Sequence, residues 1–157
     1  MGAKGIYLAE EATIIPIIPG SSAVAGTQTS DWFHLKEAAH ASILIMTGAT
    51  TSGPTVTLHE ATSNAGSGST AIVFNYAEAS TAGSDIPLAV QAATVGGFGL
   101  STRDNMWWVI ELDASQLSDG SPYVAIQLTS AAATIVSAMA ILTGRRYSED
   151  IGLSAID

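Results

Sequence analysis

The chain of 157 residues has no cysteine, few charges and few aromatic rings. Without cysteine, disulfides, thiolate-ligated zinc and thiol catalysis are excluded. Charged residues make up 12%, about half of the ~25% usual for a soluble domain. Its polar surface must then come from Ser, Thr, Gly and Asn, which repel neighbours poorly, so burial in an assembly is expected. Cations are scarcest. Lys and Arg number 5 against 14 Asp and Glu, for a net charge of −9. Phosphate recognition needs clustered cations, and Arg145-Arg146 is the one basic pair, so neither nucleic acid nor an anionic membrane is an expected partner. The apolar run "AAATIVSAMAIL" is too short to cross a bilayer as a helix. Glu10 and Glu11 stand where an export signal has its apolar core, and Ile6 where a myristoylation motif has Ser or Thr. The chain therefore reads as synthesised in the cytoplasm.

What is present is apolar, 47% of the chain, and patterned mostly with a period of two. "HASILIMTG" (40–48) is apolar on both faces and β-branched, the pattern of a central strand. "GPTVTLHEA" alternates, with Val56 and Leu58 on one face and Thr55, Thr57 and His59 on the other. Ile72, Phe74 and Tyr76 share a face, as do Val124, Ile126 and Leu128. "AATIVSAMAILTG" admits a helix through its alanines, but its β-branched residues favour a strand over 131–142. Gly, Pro, Asn and Asp punctuate the runs every 8–12 residues or so. The expectation is an all-β fold of about eight strands, a two-sheet, jelly-roll-like β-sandwich. Its core should include Ile43, Ile45, Val56, Leu58, Ile72, Phe74, Ile110, Val124, Ile126 and Leu128. Residues 1–30, with Pro16 and Pro19 among isoleucines, read as an extended N-terminal arm whose Ile14, Ile15, Ile17 and Ile18 meet another subunit; the competing reading is an edge strand of the same domain. The sandwich then spans 31–147, and 148–157 is a C-terminal tail, polar then weakly apolar.

No motif in the chain points to an active site. His34, His40 and His59 show no H-x-H or H-E-x-x-H spacing for a metal. "DASQLSDG" misses the calcium-loop pattern and reads as a turn. The glycine-rich stretches lack a phosphate loop's lysine, and no nucleophile elbow occurs. No cofactor and no catalytic residue is expected. The aromatic pair Trp107-Trp108 is more informative. In a strand the two point to opposite faces. Trp108 shares its face with Met106, Ile110 and Leu112 and belongs inside; Trp107 shares its face with Val109 and Glu111 and needs another cover, for which a neighbouring subunit is the expectation. Trp107 and Tyr123 are the candidate interface anchors, or a sugar platform if their strands adjoin.

The segments "DWFHLKEAAHASILIMTGATTSGPTVTLHEATSNAGSGSTAIVFNY" and "STRDNMWWVIELDASQLSDGSPYVAIQLTSAAATIVSAMAILTGRRY", with "VIELDASQLSDGSPYVAIQL" the most distinctive part, resemble small structural proteins of tailed-phage head-gene clusters. The resemblance implies a β-rich, often trimeric capsid cement or decoration protein, located on the virion surface, with the major capsid protein and its own copies as partners. It carries over no functional residue. The alternative is a receptor- or carbohydrate-binding β-domain of a tail or fibre.

Overall fold

The computed structural model describes residues 8–100 and 102–145; the expected tail at 148–157 lies outside them. After one helical turn, α1 (Leu8–Glu11), the chain runs through ten strands: β1 (Thr13–Thr29), β2 (Phe33–His34), β3 (Ala38–Thr50), β4 (Thr55–Ala61), β5 (Thr70–Ile72), β6 (Phe74–Glu78), β7 (Gln91–Ala93), β8 (Phe98–Gly99), β9 (Trp107–Asp113) and β10 (Tyr123–Arg145). The all-β expectation holds. The strands form one curled antiparallel sheet in place of separately hydrogen-bonded layers.

The two longest strands explain the continuity. β1 lies along one flank of β10 for nearly its whole length, from Thr13↔Leu142 to Thr29↔Gln127. The other flank changes partner. Tyr123–Thr129 pairs with β4, whereas Thr134–Arg145 pairs with β3. One half is therefore wide, in the order β1-β10-β3-β9-β6-β7. The other is narrow: β10 is flanked by β4, which carries short β5 and β8, and by β1 continued by β2. Both halves turn their inner faces to a single core, and even-numbered residues of β10 point inward from Val124 to Leu142.

Where β10 changes partner its inward row turns polar, at Ser130 and Thr134, both buried. These residues hold the β3–β4 connection. The Thr134 hydroxyl donates to the Ser52 carbonyl at 2.7 Å, and Ser130 Oγ lies 3.0 Å from Ser52 Oγ. Buried hydroxyls at a strand's turning point are thus satisfied, as buried polar groups require.

The expected core is correct at Ile43, Ile45, Val56, Leu58, Phe74, Ile110, Val124, Ile126 and Leu128, all buried; Ile72 is half-buried and packs on its rim. Residues 131–142 are strand throughout. The arm at 1–30 needs correction. Over Thr13–Thr29 it is strand β1 of the same sheet, and Ile15, Ile17 and Ile18 lie in the chain's own core, at 2–3% exposure. A bulge between Pro16 and Ile18 breaks the alternation, so that Ile17 and Ile18 both face inward. The prolines fit because, among the described residues, β1 pairs on one flank only, the position where proline is tolerated. Of the four isoleucines only Ile14 is exposed.

Candidate functional site

The outer face of the wide half is built in rows by the strand register. One row runs Pro16–Met139–Leu44–Val109–Ala77 across β1, β10, β3, β9 and β6, and all five residues are apolar. To one side lie Ser137, Met46 and Trp107, and Ile135 sits over the backbone of Gly48, 3.3 Å from where a Cβ would stand. Met46 is 48% exposed and Ile135 40%. Leu44, Val109 and Met139 are half-buried. To the other side the rows turn polar from β3 onward: Ile14–Ile141 continues into Ser42–Glu111–Asn75, and the next row reads Thr143–His40–Asp113. A second exposed apolar group, Ile86, Leu88, Val90 and Val95, lies in the connections around β7.

The polar end holds a compact cluster. His40 Nε2 lies 2.7 Å from Glu111 Oε2, and Nδ1 lies 2.8 Å from Asp113 Oδ1. A ring with both nitrogens on carboxylates must donate from both, which is the imidazolium form. Partial burial works against that charge, but the hydrogen bonds and charges of Asp113 and Glu111 outweigh it, and the His40 pKa is raised. Ser42 is also present, so the residue types of a hydrolytic triad are together. Their wiring differs from one. The Ser42 hydroxyl donates to Glu111 at 2.7 Å, whereas His40 Nε2 is 3.4 Å away and already committed to the same carboxylate. The arrangement therefore offers no free base to Ser42. Asp113 is itself fixed by the turn that follows, its backbone N–H donating to Gln116 Oε1 at 2.8 Å. Among the described residues, no group of three or more His, Asp or Glu side chains is arranged to hold a metal ion.

Trp108 occupies the core with Met106, Ile110 and Leu112, as the alternation predicts, and its indole N–H donates to Glu78 Oε2 at 3.0 Å. Trp107 does point the other way, but the chain supplies part of its cover. Its indole N–H donates to the Ser84 carbonyl at 2.7 Å, and the 83–85 turn leans over it, leaving a cleft of about 380 Å³ towards Met46. Tyr123 is far from this face in the fold. It begins β10 in the narrow half, opposite Ala61 and His34, with its ring edge-on to His34 at 6.0 Å. β9 and β10 are not neighbours, so Trp107 and Tyr123 do not form a platform. His59 and Glu60 point oppositely, as expected of strand neighbours. Glu60 is buried and accepts the Ser118 N–H at 2.8 Å, tying the turn before β10 to β4.

The alternation places Val109 on the outward face with Trp107, but it does not identify Leu44, Met46, Ile135 and Met139 as surface residues. The signal for them is that β3 is apolar on both faces, which by itself is equally the pattern of a strand covered on both sides. The His40 cluster had no local signal, because its members lie 71 and 73 residues apart.

No family model matches the chain, and no curated protein matches it. A solved structure, that of the SPBc2 prophage-derived protein YomS, is similar at 16% identity, covering 85% of this chain and 94% of that one with a TM-score of 0.49, a likeness that carries no argument about function.

Proposed function

We propose that the protein is a non-enzymatic structural component of a phage particle, a capsid cement or decoration protein that sits on the shell and binds both the major capsid protein and its own copies, as a trimer. The observation that carries this reading is the apolar row across five strands with Met46, Trp107 and Ile135 beside it. A contiguous apolar face on a small domain is the mark of a surface that meets another protein. Low charge supports it, because few ions have to be desolvated when copies pack. The resemblance of 31–147 to tailed-phage head proteins supplies the particle. The common core beneath both halves supports viewing them as the two layers of a jelly-roll-like sandwich. A tail-fibre sugar binder built on Trp107 and Tyr123 is disfavoured, because the fold separates the two rings.

The test is the double variant Met46→Asp, Ile135→Asp. Both side chains are exposed, so the unfolding free energy should stay within roughly 0.5 kcal/mol per site. Sedimentation of the free protein, and co-sedimentation with particles lacking it, should show at least tenfold weaker association. Unchanged oligomerisation and unchanged particle binding would overturn the proposal.

A further inference from the structure

On the narrow half, the turn at 62–69 folds over the outer ends of β1, β4 and β10 and leaves an open cleft of about 370 Å³. We propose that this cleft binds an uncharged carbohydrate, one pyranose ring in size, through the Trp32 indole and the polar side chains of His59, Ser69 and Gln127.

Three observations lead to this ligand class. First, the lining contains no Asp, Glu, Lys or Arg, although the chain carries a net charge of −9. An ionic ligand would find no counter-charge there. Second, the polar groups are of mixed donor and acceptor type and are held in place. His59 Nε2 lies 2.9 Å from Thr57 Oγ1, and Nδ1 lies 3.2 Å from Ser69 Oγ. Burial lowers the His59 pKa, so the ring is neutral, with one nitrogen donating and the other accepting. Either tautomer leaves the Ser69 hydroxyl with unused hydrogen-bonding capacity. Gln127 Nε2 donates to Thr29 Oγ1 at 3.3 Å, which leaves its carbonyl oxygen and a second N–H. An amide beside hydroxyls matches the vicinal hydroxyls of a sugar. Third, the aromatic element is held against the backbone of the 62–69 turn, which lines the cleft with it. Gly66, at φ +73°, lies against the Trp32 ring so closely that a Cβ would come within 2.9 Å of Cζ2 and Nε1. A held, half-buried indole gives the C–H face of a sugar an apolar surface, while its surroundings supply the few placed polar groups that fix orientation. The site does not rest on the assembly proposal, since it uses none of the residues of the apolar face.

The test uses the full chain with methyl glycosides of glucose, galactose, mannose and N-acetylglucosamine, followed by saturation-transfer NMR and tryptophan fluorescence, with glycerol as the non-sugar control. At least one glycoside should bind with a Kd of about 1–10 mM and glycerol should not. Gln127→Ala, which removes an outward side chain, should weaken that binding at least fivefold with unchanged thermal unfolding, and Trp32→Phe should weaken it as well. Val90→Ser, far along the chain in an exposed connection, should leave it unchanged. No glycoside signal up to 50 mM, an equal response to glycerol, or binding that survives Gln127→Ala would each overturn the proposal.

Discussion

In the wide half, the outward row led by β1 and β10 reads Pro16–Met139–Leu44–Val109–Ala77. In the narrow half, rows led by the same two strands read Thr29–Gln127–Thr57 and Thr27–Thr129–Thr55. The inward rows hardly differ, with Ile126 and Leu128 at one end and Val136 and Leu142 at the other, all buried. Two strands thus pass through both halves with an inner face that is apolar in each half, polar only where β10 changes partner, and an outer face that changes character. A folding requirement acts on the inner face in both places. It does not demand Met, Leu and Val outside in one half and Thr and Gln in the other. That difference is the one the proposed assembly role calls for, an apolar outer face on the wide half and a polar one on the narrow half.

The comparison breaks most severely if the shared strands are cut. Deleting residues through Ser30 removes β1, with Ile15, Ile17, Ile18 and Val24, from one flank of β10 in both halves. Each such side chain is worth about 1.5–3 kcal/mol on burial, and total stabilities are only about 5–15 kcal/mol. The truncated protein should therefore fail to fold, read as a lost cooperative thermal transition. A truncated domain that retains a cooperative transition would show that β1 is peripheral and restore the picture of an arm.

The two tryptophans of β9 sharpen the contrast between inner and outer face. Trp108→Ala empties a fully buried site and orphans Glu78, and should cost about 3–5 kcal/mol. Trp107→Ala removes a half-buried ring and one hydrogen bond to the Ser84 carbonyl, and should cost about 1–2 kcal/mol. Its larger effect should be on association, because the 83–85 turn would lose its anchor beside Met46. Denaturant titration of both variants measures the gap. Equal losses would mean that β9 has two inner faces and that the wide half has no outer surface to offer.

Much of the inner face could be read directly. Alternation located Val56, Leu58, Val124, Ile126 and Leu128, and it chose Trp108 over Trp107. The outer face was harder, for two physical reasons. An apolar residue on both sides of β3 looks the same whether a second sheet or another protein covers it, so the pattern of a strand covered on both faces does not reveal that Leu44 and Met46 lie on an outer surface. Register is also a long-range property. Neither the Leu44–Val109 pair nor the His40–Glu111–Asp113 cluster exists until β3 is set beside β9. β1 misled for a local reason. Its bulge at Ile17 and Ile18 breaks the period of two, and its prolines suggest an arm until β1 is seen to pair, among the described residues, on one flank.

The finest difference between the halves lies in their histidines. His40, on the wide half, is held as imidazolium by Glu111 and Asp113, and its folded pKa is raised. A raised pKa contributes stability that is complete below the unfolded value, about 6.5, and is lost as pH rises through the folded one. His59, on the narrow half, is held neutral by burial, and its pKa is lowered. Its contribution is intact above about 6.5 and is lost as pH falls below that, because the unfolded chain then binds the proton more readily. Together they predict a thermal midpoint that is highest near neutrality and declines on both sides, within a window above the carboxylate range. The alkaline decline should be small. His40 and its partners are partly exposed, and exposed pairs are worth about 0–1 kcal/mol, which is no more than about 2–4 °C in a chain of this size. Added salt should flatten the alkaline side, which is screened Coulomb attraction, and leave the acid side, which comes from desolvation. His40→Asn should remove the alkaline decline alone, and His59→Asn the acid decline alone. If His40→Asn leaves the alkaline side as steep as before, the two carboxylates do not hold that ring charged, and the polar edge of the wide half is ordinary solvated surface.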